Sequence, residues 1–481
     1  MKKVLVLLMA MCLVVTCFAC TTKKDKKPVQ TGNGGIAQLP QIDYEEADFL
    51  INTRAGYAPE EVFCADEESN DVRDIALMQR NAAVQDYFNI YIDAVAQSNE
   101  DQITSIIDDA TINPESSWDA NMTFPWHSAP LIIQGHVLNW NNSERLPYTD
   151  LSASWWMNDV NKEYGIKDAI YTAAGDACIS VFTNVYGLFY NRTLGENIDS
   201  EMSEKIFDMV REGNWTYDEF YKLVKNVWYE GDNPSAVGPS EDDTYGFATE
   251  PNVSSEAFSM AWDITYVENN VETGLSVENF LSDKLITTTD RLYELYYETT
   301  GTLHTSWITM RDAFMAGRVL FVPIKLSAAL DDFTGMEDTY TILPFPKYDE
   351  NQEGYITGTQ NDFSVWSISA NVPDSEYSSL IIEALNIESE NILIPTYFYE
   401  ALQKKTISDP DTIEMLEYLL EYVDFEMGHL LDASAGYIGN LLRYTLMGQS
   451  NDITAMYDSR KEEILSSIEE IMQKYEDFRN E

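Results

Sequence analysis

Apolar residues along this chain fall into short runs that switch between two periods. Asp48-Phe49-Leu50-Ile51-Asn52 has the length of a strand, Asp74 to Phe88 places apolar residues at helical spacing, and Asn89 to Val95 is again strand-like before a helix over Gln102 to Asp109. A second alternating block opens at Val181, with Gly187-Leu188-Phe189-Tyr190 as a strand. Thr216-Tyr217-Asp218-Glu219 reads as a capping box, starting a helix whose apolar face is Phe220, Leu223, Val224, Val227 and Trp228. Val319 to Ile324 is a buried-strand run, followed by strands at Tyr340 to Leu343 and Phe363 to Ile368. Pro373-Asp374-Ser375 starts a further helix. From Asp411 the pattern is helical to the end, closing on the stripe Ile464, Leu465, Ile468, Ile471, Met472 and Tyr475. Strands and helices alternating in this way predict an α/β fold with helices on both faces of a sheet.

The first forty residues belong to a different class. Lys2 and Lys3 precede an apolar run from Val4 to Val15, the length of a secretory signal and too short to span a bilayer. Residues 1 to 19 are expected to be removed after Ala19. That leaves Cys20 at the new terminus, an arrangement that resembles the lipobox of bacterial lipoproteins, with Cys17 standing where an aliphatic residue is usual. Residues 20 to 41 are small and polar and read as a flexible tether between a lipid anchor on Cys20 and the folded body. The expected location is the outer face of the cytoplasmic membrane.

Charge and composition narrow the partners. The chain has 81 acidic against 30 basic residues and a formal net charge of −51, which repels nucleic acid and anionic lipid. About 440 residues after the tether are too many for one core and suit two lobes. Only Cys64 and Cys178 lie in the body, so there is either one disulfide or two free thiols. No zinc-protease helix, Gly-x-Ser-x-Gly elbow or P-loop occurs, and no cofactor is expected. With so many carboxylates, acid pairs carry no argument for a glycosidase. Asp349-x-Asn351-x-Glu353-Gly354 imitates half of a calcium loop, but Gln360 stands where the closing glutamate belongs, so a polar surface turn is expected.

Aromatic residues next to polar ones are the more informative signal. Trp126-His127-Ser128, Trp140-Asn141-Asn142, Trp155-Trp156, Trp262-Asp263 and Trp307 suit a ligand with flat apolar faces and a polar rim, such as a sugar.

Four segments, in order, carry a family resemblance: Tyr186 to Leu194 (YGLFYNRTL), Asn214 to Phe220 (NWTYDEF), Ala313 to Arg318 (AFMAGR) and Leu343 to Asp349 (LPFPKYD). They resemble the carbohydrate-binding extracellular solute-binding proteins, family 1, of bacterial ABC importers; Trp155-Trp156 and Gly175-Asp176 are similar to a lipoprotein subgroup of Gram-positive bacteria. The resemblance implies a two-lobed periplasmic-binding-protein-like fold of type II that closes on its ligand by a hinge. It also implies crossings near Ser180 to Asn184 and Phe363 to Ile368. The first lobe is expected at 42 to 180 and 308 to 365, the second at 181 to 307 and 366 to 481, with C-terminal helices bracing both.

Carried over position by position, the resemblance nominates Trp126, His127, Asn184, Lys325 and Ser327 as ligand-binding, with Trp262, Trp307 and Tyr437 on the rim. Where the family's maltodextrin binder has a stacking tryptophan after the returning strand, Lys325 to Ser327 lack one. The implied partners are a carbohydrate and the membrane subunits of a permease, with the binding protein itself a monomer and not an enzyme. A lipid-anchored glycoside hydrolase, or a sensor or adhesin on the same fold, are the alternatives.

Overall fold

The computed structural model describes residues 35–64, 68–99, 102–113, 118–231, 242–398 and 409–478. The signal peptide, Cys20 and the tether as far as residue 34 lie outside the described residues.

Strands β1 (Ala47–Arg54) and β2 (Ile90–Gln97) pair in parallel along their full lengths, and β3 (Ala120–Thr123) lies parallel on the other side of β1. Parallel neighbours need a crossover, and the helix Val72–Phe88 provides it. That helix starts where the Asp71 side chain accepts from Arg73 N, buries Leu77, Val84 and Phe88, and ends at Asn89 in the left-handed conformation.

The chain next crosses to a second sheet. It contains β4 (Tyr186–Asn191), β5 (Trp228–Tyr229) and β6 (Thr244–Thr249), then, after a hairpin of β7 (Glu268–Asn270) and β8 (Gly274–Ser276), β9 (Thr302–His304), β10 (Val319–Lys325) and β11 (Tyr340–Leu343). The order is β11-β4-β10-β6-β5, with β9 also paired to β6. Short strand β12 (Thr357–Gly358) leads back, and β13 (Val365–Ser367) joins the first sheet antiparallel to β3; β14 (Val423–Asp424) pairs with β12.

This topology corrects the expected lobe boundaries. Residues 308 to 343 belong to the second lobe, because β10 and β11 flank β4. The VLFVPI run of β10 is buried at every position, so it requires a strand on each side and a covered sheet, and its slot is between β4 and β6. Conversely β13 and the helix Ser375–Glu388, which packs on Val72–Phe88, belong to the first lobe. The chain passes between the sheets over 173–186 and 358–366, close to the expected crossings, where bridges Ala173 to Trp366 and Val185 to Thr359 tie the two passages together.

The last helix, Lys461–Phe478, packs on Pro125–Ile133 and on β8. Its buried stripe is Ile464, Ile468, Ile471 and Tyr475, while Leu465 points outward at 45% exposure. The helix expected to run to Trp228 ends at Val224, and Trp228 lies in edge strand β5. Thr216 is its N-cap by position, but its hydroxyl makes no capping bond. Cys178 is buried, Cys64 is half-buried, and they are not joined. No helix among the described residues is long and apolar enough to cross a membrane.

Candidate ligand cleft at the carboxyl ends of the two sheets

The carboxyl end of β1 turns polar at Asn52, Thr53 and Arg54, and β10 ends at Lys325. Both ends meet at Asp362, on the return crossing. Lys325 Nζ lies 3.2 Å from Asp362 Oδ2, Asn184 Nδ2 donates to Asp362 Oδ1 at 2.8 Å, and Arg54 donates to the Asp362 carbonyl at 3.1 Å. The Lys325 and Asp362 side chains each keep about a quarter of their surface exposed, so a ligand can reach them.

Arg54 itself is sealed. Its guanidinium carbon sits 3.6 Å from the ring centre of Tyr57 and 3.4 Å from that of Phe124, and Nη2 donates to Ser364 Oγ at 2.6 Å. A desolvated cation between two rings is held more firmly than an exposed one. Burial and the neighbouring Asp362 carboxylate push the Tyr57 phenol far above its usual range, so it stays protonated. Phe124 ends the strand side of the loop and Pro125 opens the helix Pro125–Ile133, as its fixed φ favours. Phe124 contacts the rings of Trp126 and His127, each at 5.2 Å, and Trp126 stacks on His127 at 5.0 Å and 12°. Burial, with help from Arg54, lowers the His127 pKa to about 3, so this ring is neutral. Trp126 is half-buried, and its buried indole N–H and His127 Nδ1 have no hydrogen-bond partner among the described residues. The exposed part of a flat ring can stack on an apolar face of a ligand.

A second polar group lies against the same crossing. Glu256 accepts from Asn361 N at 3.0 Å and faces His429 Nδ1 at 3.7 Å, while Asn361 Nδ2 donates to the His429 carbonyl at 2.9 Å. Burial raises Glu256 to about 7 and lowers His429 to about 4, so the contact favours two neutral groups.

No protein-family model matches this chain, and no curated protein matches it in sequence. In three dimensions it is similar to a cyclo/maltodextrin-binding protein solved with maltotetraose, at TM-score 0.56 and 12% identity over 94% of this chain and 99% of that one. It is similar also to the galacto-N-biose/lacto-N-biose I-binding protein of an ABC transporter from Bifidobacterium longum, solved with lacto-N-biose (TM-score 0.55, 10% identity, 91% and 98% covered). A third is an ABC-transporter solute-binding protein from Thermotoga lettingae bound with α-D-tagatose (TM-score 0.53, 11% identity, 89% and 100% covered). The chain has the two-lobed solute-binding fold.

In a solute-binding fold made of two open α/β sheets, the crevice outside the strands' carboxyl ends is where a ligand sits. Of the residues nominated from sequence, Asn184 and Lys325 meet at Asp362, while Trp126 and His127 pack on Phe124, which Arg54 links to the Asp362 carbonyl. Ser327 instead lines a small apolar cavity beside the hinge with Phe182, Thr183, Leu330 and Tyr397. Trp307, half-buried in the first turn of Trp307–Met315, and Tyr437, 40% exposed between Tyr444 and Arg460, make no ring contact with the Asp362 cluster among the described residues.

Trp262 is a correction. It is fully buried, packed on Tyr217, Phe258 and Tyr348, and donates to the Pro346 carbonyl at 3.0 Å, so it belongs to the second lobe's core. The Trp155-Trp156 pair is also internal to the first lobe: both indoles donate to Glu383, at 2.7 and 2.8 Å. The Asp349 segment is a turn in which Asp349 Oδ1 accepts from Asn351 N. Arg54, Tyr57, Phe124 and Asp362 were not singled out from sequence. The one local signal was the change from apolar to polar residues at the carboxyl end of β1.

Proposed function

We propose that this protein is the carbohydrate receptor of an ABC importer, held by a lipid on Cys20 at the outer face of the cytoplasmic membrane. It captures a mono- or oligosaccharide between its lobes, closes, and presents the closed form to the permease; no bond is broken. The observation that carries the reading is the half-buried Trp126, stacked on His127 and joined through Phe124 and Arg54 to the Asp362 that Asn184 and Lys325 also meet. A sugar has the two kinds of surface this site offers to meet, an apolar ring face and a hydroxylated edge. Closure follows from binding only if the ligand touches both lobes, and Trp126 and Lys325 lie on opposite sides of the crossing. The sugars named for the similar structures, from tagatose to maltotetraose, range from one ring to four and support the class rather than one member of it.

Thermal shift and calorimetry across a library of mono- and oligosaccharides test the reading. Saturable binding of a carbohydrate is expected. Binding of an amino acid or peptide with no carbohydrate response refutes it, and release of reducing ends from a polysaccharide by the pure protein favours a hydrolase instead. The anchor has its own test: incorporation of a labelled fatty acid, lost in Cys20→Ala.

A further inference from the structure

The ring platform and the hinge are joined by one polar chain. Glu61, 1% exposed, accepts from both the amide and the hydroxyl of Ser180 on the outgoing crossing, and from the hydroxyl of Ser364 on the return crossing. Ser364 N in turn donates to Ser180 Oγ at 2.8 Å. The Ser364 hydroxyl also accepts from Arg54, and Arg54 fills the gap between Tyr57 and Phe124, on which Trp126 and His127 rest. Side chains from residue 54 to residue 364 thus make one unbroken line from both crossings to the half-buried indole.

We propose that Arg54 is a positioning residue of the ligand platform, and that Ser364 and Glu61 hold it so that the return crossing sets the orientation of Trp126. The geometry supports this in two ways. A guanidinium pressed on two ring faces has no other stable position once Nη1 and Nη2 are held by Asp362 O and Ser364 Oγ, because its plane fixes the directions of its donors. Those two acceptors lie on the segment that links the lobes, so any turning of the crossing beyond Ser364 pulls on Arg54 before it reaches the rings. Glu61 anchors Ser180 and Ser364 to the first lobe, which leaves 181–184 and 359–363 as the part that turns. Calling the rings a ligand platform rests on the proposed carbohydrate function; the coupling itself does not.

The test therefore uses no ligand. Protein labelled with 5-fluorotryptophan gives a fluorine resonance for each of its 10 tryptophans, and Trp126 is assigned by its loss in Trp126→Phe. In Ser364→Ala, which removes a single oxygen, the Trp126 resonance is expected to shift or broaden while those of Trp215, Trp228, Trp262 and Trp307 in the second lobe stay in place. Arg54→Met, which keeps the bulk between the rings and removes the donors, is expected to do the same more strongly. Should Arg54→Met not fold, Ser364→Ala decides alone. An unmoved Trp126 resonance in folded Ser364→Ala overturns the proposal, and so does a shift of all the resonances together, which marks a general loss of structure. A protein that passes this test yet binds no sugar keeps the coupling and loses the carbohydrate reading.

Discussion

At Trp126 and Trp262 the same side chain meets opposite surroundings, and substitution separates the two. Trp126→Ala removes a half-buried ring from the surface of the Phe124 and His127 stack; it is expected to weaken the binding of a recognised sugar about tenfold or more by calorimetry, with little change in melting. Trp262→Ala empties the centre of an aromatic core and strands the Pro346 carbonyl, so about 3–5 kcal/mol of stability should be lost in urea titrations. Both tryptophans stand next to polar residues in the sequence, and that pattern alone could not tell them apart. Trp126, His127, Asn184 and Lys325 could be nominated because each lies at or just beyond a strand end or crossing. Arg54 and Asp362 were not, because their bond joins residues 308 positions apart and neither has a distinctive neighbour in the chain.

Among the elements, helix starts were read well in position and less well in mechanism. The helix after Thr216 begins where expected, yet Thr216 makes no capping bond, whereas the Asp374 side chain accepts from Tyr377 N at 2.9 Å. Thr216→Ala is therefore expected to change stability by less than about 0.5 kcal/mol and Asp374→Ala to cost about 1 kcal/mol, in parallel denaturant melts. Strand identity was similarly legible while strand partnership was not. The run Val319 to Ile324 announces a buried strand, but only the antiparallel register of Phe321 with Tyr190 assigns it to the second sheet. Close packing there leaves no room at Gly246, where a methyl group would meet the Val224 carbonyl of the helix laid over the sheet. Gly246→Ala should cost about 1–3 kcal/mol, through displacement of Tyr217–Val224.

For the molecule as a whole, buried carboxylates set the response to pH. Burial raises Glu426 to about 8 and Glu163, Glu256 and Glu383 each to about 7. Each holds its proton in the folded chain at pH values where the unfolded chain has released it. Their contribution is thus complete below the ordinary carboxylate range and is lost as pH rises through 7 to 8. The lowered histidines, His127 and His429, oppose this only below their unfolded value of 6.5. The melting temperature is accordingly expected to fall by a few degrees from pH 6.5 to pH 8.5. Repulsion within a chain of net charge −51 acts in the same direction, and Glu426→Gln isolates the carboxylate share by flattening the slope; an equal slope in that variant removes Glu426 from the account. Cys64 and Cys178 are not joined to each other, so the described fold does not depend on a cross-link between them. A reducing agent is accordingly expected to leave the melting temperature of the folded body unchanged, so that its purification needs no step to form a Cys64–Cys178 bond.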